Sequence, residues 1–465
     1  MNSRELPTDH LATTTKEGHR VYLYPADVRG RFRNLRNVLN VGLIAFFLTL
    51  PWIKIGGRPA ILLNLPERKF AVLGIQFWAH DAPMLFLVIA SLVLAIAFVT
   101  AVWGRVWCGY ACPQTVFVDG VFRKIERWIE GDSIQRKALD QAPWTQDKIF
   151  KKSAKWLAFL AVSLVIGHSF LAYFTGTEAL AEMMGKSPLE SPGTFGVMAF
   201  ISGLVLFDFG WFREQFCIVA CPYGRFQSVL MDDRSMVVAY DPERGEPRRG
   251  VQKIDGKTGD CVNCYRCVAV CPTGVDIRRG TQLECIACTA CMDACDQVME
   301  KIKKPKGLIR YKPLVGELSS VTPLRPRSVI YAVILSFVGG ALTWKVSQHE
   351  TLSVEFVRAI ETPYQILKDE SKGEKILNHF KLDLRNQDFD AVTVAISIHD
   401  ESRQAGFEMI TIQPKVTLAP GELKRLDVFF KFPKEQLKNG TSRVRTLIHA
   451  KETLQSEVHL VGPLF

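Results

Sequence analysis

Cys261-Val-Asn-Cys264-Tyr-Arg-Cys267-Val-Ala-Val-Cys271-Pro272 and Cys285-Ile-Ala-Cys288-Thr-Ala-Cys291-Met-Asp-Ala-Cys295 decide the reading of this chain. The two segments hold eight of its twelve cysteines, each in the pattern C-x2-C-x2-C-x3-C. That spacing suits two [4Fe–4S] clusters, with the fourth cysteine of one run ligating the other cluster. On that rule one cluster takes Cys261, Cys264, Cys267 and Cys295, and the other takes Cys271, Cys285, Cys288 and Cys291. Three thiolates spaced by two residues wrap one corner of a compact cube, and the fourth closes it from a distance. Pro272 keeps a helix from running on. Zinc is the first alternative, but its sites pair two C-x2-C units rather than running three cysteines in series. Disulfides are the second, and they do not persist in the cytoplasm.

Flanking charge supplies that compartment. The chain has 465 residues, 48% hydrophobic and 23% charged. Such a mixture predicts apolar spans separated by soluble parts. Five apolar runs stand out, at about 38–53, 83–103, 156–174, 195–211 and 329–344, and the second, the clearest, has a length that suits a bilayer core of roughly 30 Å. Arg29, Arg31, Arg33 and Arg36 precede the first run. Arg136, Lys137, Lys148, Lys151, Lys152 and Lys155 lie between the second and third. Arg325 and Arg327 precede the fifth. Basic residues stay inside, so the N-terminus and the cysteine-rich stretch are expected in the cytoplasm and the C-terminus outside. The net charge of +11 is then a loop property. With no nucleic-acid motif in the chain, no partner of that class is expected. The polar first thirty-odd residues predict no cleavable signal peptide.

The other four cysteines form a repeat. Cys108-x3-Cys112-Pro113 follows the second run, and Cys217-x3-Cys221-Pro222 follows the fourth. An apolar and basic stretch follows each, and the first reads as an interfacial amphipathic helix through Val118, Phe122, Ile125 and Ile129. If helical, each pair shares one helix face. Packing of the two halves would then bring four soft thiolates together, a donor set for Cu(I), zinc or an Fe–S centre. Arg105 and Arg213 would favour thiolate over thiol. Small apolar packing is the plain alternative for such cysteines. His168 and Asp208 lie inside spans, where ionisable residues are functional suspects. The bland readings are a histidine bonded to a neighbouring helix and an aspartate paired with Arg213.

From about 351 onward the chain alternates. Val392, Val394, Ile396 and Ile398 point one way, as do Leu426, Val428, Phe430 and Phe432. Asn439-Gly440, Pro420-Gly421 and 386–388 mark turns. Seven or so strands in this length predict an immunoglobulin-like sandwich. The expected fold is therefore a multi-domain membrane protein: a five-helix α-helical transmembrane bundle, a 2[4Fe–4S] ferredoxin-like cytoplasmic domain, and a C-terminal all-β immunoglobulin-like sandwich. The boundaries expected are 1–37 for a cytoplasmic tail and 38–230 for four spans in two repeats. The ferredoxin-like domain takes 231–327, the fifth span 328–346, and a periplasmic sandwich 350–465.

In this order, the basic tail with YPADVRGRFR (24–33), the two C-x3-C-P motifs, CVNCYRCVAVCPTGVDIR, CIACTACMDAC and the C-terminal strands resemble the cytochrome c oxidase accessory proteins of the CcoG family, also called FixG or RdxA. The resemblance covers essentially the whole chain. One departure is Asp296, where the simplest ferredoxin pattern has proline after Cys295. The resemblance implies a bacterial inner-membrane protein that reduces Cu(II) to Cu(I) for a cbb-type cytochrome c oxidase. Copper would be its substrate at Cys108, Cys112, Cys217 and Cys221. Its partners would be oxidase assembly components or copper chaperones and an unidentified electron donor, with a homodimer left open. Two other readings stand beside it: a quinol-linked electron-transfer subunit, with His168 or Asp208 moving the proton, and a non-enzymatic assembly scaffold.

Overall fold

The computed structural model describes residues 13–14, 17, 19–55, 58–72, 75–78, 82–250, 258–314, 325–348, 351–359, 362–369, 373–451 and 453–463. Part of the expected tail, parts of 231–327 and Asp81 of the first loop lie outside these. The chain divides into two compact units, Met1–Asn64 with Leu85–Leu342, and Leu65–Met84 with Thr343–Phe465.

In the first unit the helices run α1 (Arg31–Thr49), α2 (Ala82–Trp103, shared with the second unit), α3 (Val106–Tyr110), α4 (Pro113–Phe117), α5 (Arg123–Glu130), α6 (Ser133–Gln141), α7 (Gln146–Thr175), α8 (Thr177–Met184), α9 (Pro192–Val205) and α10 (Pro222–Leu230). Then come α11 (Pro242–Gly245), α12 (Arg266–Ala269), α13 (Ala290–Lys301) and α14 (Pro326–Ser347). Five helical stretches are long and apolar enough to cross a membrane: Arg31–Trp52, Pro83–Trp103, Gln146–Thr175, Pro192–Phe212 and Pro326–Ser347.

Two of these, Arg31–Trp52 and Gln146–Thr175, begin well before their apolar runs. α7 starts at Gln146 because Thr145 caps it, its hydroxyl accepting from Lys148 N at 3.3 Å. The Lys148 ammonium turns back to the carbonyls of Asp140 and Ala142 (2.9 and 2.6 Å), and Lys155 pairs with Glu130 at 2.8 Å. Charges that read as loop are thus satisfied along a helix.

α1 starts at Arg31, inside the stretch expected to be tail, and is capped in trans. Asp293 on α13 accepts from Phe32 N (3.3 Å) and Arg33 N (2.7 Å), filling the role of a missing local cap. Gly30 is needed there, since a Cβ would lie 2.2 Å from Asp293 Cγ. Upstream, Ala26 N donates to Ala269 O at 2.8 Å. The described end of the tail is thus docked on the cysteine-rich fold rather than solvated.

The interfacial-helix expectation is also corrected. Residues 113–130 are helical, as α4, a π-turn over Val118–Phe122 and α5. Their apolar face is covered by protein, not left for lipid. Phe122 is fully buried, with ring centroids 4.9 Å from Phe159 and 5.6 Å from Phe209. The cysteine-rich fold itself is built on an antiparallel pair, Met236–Tyr240 with Ile309–Pro313. Val238, Ile277, Met299, Leu308 and Ile309 form its buried core.

The second unit is a sandwich. One sheet runs Glu408–Thr411, Leu423–Pro433, Gly373–Asn386, Leu352–Arg358, with Gln365–Asp369 also pairing with Gly373–Asn386. The other runs Lys415–Leu418, Val392–Ile398, Thr441–His449, Thr453–Val461. The residues predicted to share a face do so: Val392, Val394, Ile396, Ile398, Leu426, Val428, Phe430 and Phe432 are all buried in one core. The turns at 386–388, Pro420-Gly421 and Asn439-Gly440 each carry the chain from one sheet to the other, as a sandwich requires. Asn439 and Gly440 both take positive φ, 51° and 73°.

Among the elements that escaped the sequence reading, one bears on the second unit. The first loop contains a hairpin, Lys69–Val72 with Ile75–Trp78. Its Trp78 belongs to the sandwich unit: Nε1 donates to Gln387 O at 3.1 Å, and the ring meets Phe389 edge-on at 5.8 Å. Gly421 (φ 71°) leaves room for that ring, which a Cβ would meet at 2.4 Å.

Candidate functional site

Eight cysteines line two separate cavities. Cys261, Cys264, Cys267 and Cys295 surround one, with Tyr240, Met299 and Leu308. Cys271, Cys285, Cys288 and Cys291 surround the other, which Cys267 also touches. These are the two sets that the spacing rule drew. Cys264 is exposed, so the first set reaches solvent.

The backbone carries a second sign. Asn263 and Tyr265 flank Cys264 with φ 55° and 56°, and Ala287 and Thr289 flank Cys288 with φ 51° and 60°. None is glycine, and each left-handed residue costs about 1–2 kcal/mol. The same strain at the same places in both runs is that of a backbone nest, whose N–H groups turn inward to meet an anion such as a cluster's sulfur cage. Burial and mutual repulsion push Cys285 and Cys295 up to about 12, so a strong local positive charge is needed to make them thiolates. Among the described residues no three His, Cys, Asp or Glu side chains converge as they would on a single metal ion. The donor set and the nests fit a cluster and not a lone ion.

The C-x3-C-P pairs are also repeated in three dimensions. A left-handed residue lies four positions before each first cysteine, Gly104 (φ 57°) before Cys108 and Arg213 (φ 53°) before Cys217. Each first cysteine sits on a short helical turn, α3 or Phe216–Ala220. Each second cysteine is extended, with ψ 127° at Cys112 and 112° at Cys221, and a proline starts the next helix. A residue before proline is excluded from helix. The expectation that each pair shares one continuous helix face is therefore wrong.

The four thiols are neighbours, though among the described residues they do not converge as ligands of one ion would. Cys217 lies within electrostatic reach of Cys112, Cys108 and Cys221, and Cys108 of Cys112 and Cys221. The expected thiolate bias is reversed. Burial pushes Cys108 up to about 11 against the opposing Arg105, and burial likewise raises Cys217. Arg213 cannot help, because its guanidinium binds Glu126 through two bonds of 2.9 and 2.8 Å. This also corrects the Asp208–Arg213 pairing. Asp208 instead accepts from Gln114 Nε2 at 3.0 Å, and the same amide donates to Arg213 O at 3.0 Å. Asp208 lies within electrostatic reach of Cys112. His168 bonds to Leu164 O, one turn back on its own helix, at 2.7 Å.

Three residues join the thiol group to the second cysteine set, of which sequence reasoning named only Arg105, and for its charge. Arg105 donates to the carbonyls of Leu283 and, at 3.1 Å, Cys285. Gly109 abuts the ligand loop so closely that a Cβ would lie 2.5 Å from Ala287 O. Tyr110 and Thr289 hydroxyls bond at 2.8 Å. On the far side, Gln227, fully buried on α10, donates to Cys108 Sγ at 3.3 Å.

Comparison with known proteins now has a geometry to meet. Residues 212–313 match the family described as "4Fe-4S dicluster domain", 85–130 a "4Fe-4S binding domain", and 342–463 an "IG-like fold at C-terminal of FixG". The first range holds Cys217, Cys221 and all eight cavity cysteines; the second holds Cys108 and Cys112. Protein RdxA of Cereibacter sphaeroides is 36% identical over 79% of this chain and 80% of its own. Protein RdxB of the same organism is 35% identical over 84% of each chain. Nitrogen fixation protein FixG of Rhizobium meliloti is 30% identical over 95% of this chain and 93% of its own. The chain is thus similar along nearly its whole length to proteins of iron–sulfur electron transfer type, and its dicluster region supports two [4Fe–4S] clusters.

Proposed function

The chain belongs to the FixG/RdxA family, and from that premise we propose that it is an inner-membrane oxidoreductase that reduces Cu(II) to Cu(I) for assembly of a cbb-type cytochrome c oxidase. Cys261, Cys264, Cys267 and Cys295 hold one cluster, and Cys271, Cys285, Cys288 and Cys291 the other. When bound, each supplies a one-electron carrier. The substrate step is Cu²⁺ + e⁻ → Cu⁺, with the electron from an unidentified cytoplasmic donor.

The chain's own residues shape that step. Cys108, Cys112, Cys217 and Cys221 offer soft sulfur, which favours Cu(I) over Cu(II). Burial disfavours the thiolate at Cys108, Cys112 and Cys217, so metal binding there releases protons. Gln227 fixes Cys108, and Gln114 fixes Asp208 beside Cys112. The observation that carries the reading is the seat of α3 on the second ligand loop at Gly109. It supports a short path between the thiols around Cys108 and the second cysteine set, and the exposed Cys264 supports electron entry at the first.

The pairings support the topology as well. The tail stretch bonds to the cysteine-rich fold at Ala269, and the first-loop hairpin belongs with the sandwich. A five-span chain with the N-terminus and clusters in the cytoplasm and the sandwich in the periplasm satisfies both pairings.

Gly109→Ala tests the seat. In anaerobically reduced protein given Cu(II) and a Cu(I)-specific chelator, it should slow Cu(I) formation by roughly tenfold or more while iron content stays full. Equal rates would remove this route.

A quinol reading keeps one specific support. An apolar cavity of about 510 Å³, lined by Phe46, Phe117, Phe170 and Phe209, ends at Ala111 and Pro113 on either side of Cys112. Cluster reduction by a quinol without copper would favour it.

A further inference from the structure

A second cavity, of about 400 Å³, has chemistry that copper and quinol leave unused. It lies between residues 25–37, the 119–127 helical segment and the cysteine-rich fold. Seven arginine and lysine side chains line it against two carboxylates, Asp27 and Asp119. Asp119 alone is shared by Arg33 (2.5 Å), Arg36 (3.3 Å) and Arg123 (3.7 Å). Arg136 meets Glu126 at 3.1 Å, but that carboxylate already serves Arg213 and Lys155 at 2.8 and 3.5 Å.

Arg123 also meets Glu214 at 2.5 Å and Arg127 meets Asp27 at 3.2 Å, yet the seven cations still outnumber the carboxylates they share, and some of their donors are unmet. Arg36 and Arg136 are only 3% and 5% exposed. The buried Nε atoms of Arg36, Arg123 and Arg136 have no hydrogen-bond partner. Burying unpaired polar groups and surplus charge is costly. A ligand with more than one negative charge and several acceptor oxygens would offset that surplus charge. Guanidinium forks match phosphate oxygens two at a time. The site is also adjacent to the redox centre, since Pro272 follows Cys271, Ala290 precedes Cys291, and both line the cavity.

We propose that this basic cavity is a binding site for a phosphate-bearing anion, seated beside the second cysteine set. Two sources share that chemistry, a soluble phosphate compound and the headgroup of an anionic phospholipid. The proposal is independent of copper, so its failure and that of the reductase reading are separate events.

The test uses full-length, cluster-loaded protein in two arms: equilibrium dialysis with radiolabelled orthophosphate in detergent, and retention of radiolabelled phosphatidylglycerol through delipidating washes. Saturable binding in either arm, weakened roughly tenfold by Arg36→Gln with Arg123→Gln, supports the site, and the arm that binds names the source. If that double variant loses its clusters, the exposed Lys124→Gln replaces it, with binding about threefold weaker. No saturable binding in either arm, or binding that the folded variants leave unchanged, overturns the proposal.

Discussion

Asp119 shows how much one side chain carries here. Burial pushes its carboxyl up, but Arg36, Arg33 and Arg123 outweigh burial and hold it at about 2. A depressed carboxylate stabilises the fold above its unfolded pKa, and that contribution fades as pH falls through the folded value. Asp119→Asn should therefore cost about 3–5 kcal/mol at neutral pH by leaving buried guanidiniums unpaired. The gap to the parent should narrow as pH drops from about 4 toward about 2. Thermal unfolding followed by tryptophan fluorescence across that range checks this, and a pH-independent gap would contradict it. Glu126 behaves in the same sense. Burial opposes its ionisation, but Arg213, Lys155 and Arg136 hold it well below the usual carboxylate range. These two carboxylates fix the 113–130 helical segment, and with it the direction in which Pro113 starts.

Among the elements, the first-loop hairpin makes the sharpest prediction. Trp78 is 8% exposed and lies against Phe389 and the Gly421 turn. Trp78→Ala should destabilise the sandwich unit by about 3–5 kcal/mol and leave cluster absorbance intact. Limited proteolysis with an iron assay separates the two effects, and unchanged protease resistance would refute the packing. The sequence signal for the hairpin is weak: two short apolar runs with Gly74 between them, beside spans with far stronger periodicity. The sandwich strands were legible because each face alternates over four or more residues. The left-handed residues of the ligand loops were not, since Asn, Tyr, Ala and Thr carry no shared preference for that conformation. The bend at Cys112 and Cys221 was legible in principle from the proline that follows each, but helical spacing was given more weight than that local rule.

Across the whole molecule, chemistry that is local in the sequence could be read and chemistry made by packing could not. Both cavity sets follow from cysteine spacing alone. Gly109, Gln227, Arg105 and Asp293 act through partners more than a hundred residues away, so no spacing announces them. They belong to the unit that holds three cysteine groups, a solvent-reaching set at Cys264, a second set at Cys285 and the thiols around Cys108, which the proposed function joins in one route. The central claim is that electrons travel this route to copper. The most direct measurement adds Cu(II) to anaerobically reduced protein, following cluster absorbance while a chelator traps Cu(I), with Cys108, Cys112, Cys217 and Cys221 intact or all replaced by alanine. The account predicts that Cu(I) appears as the clusters oxidise, and that the replaced protein fails with its clusters intact. Equal copper reduction by the replaced protein would contradict it.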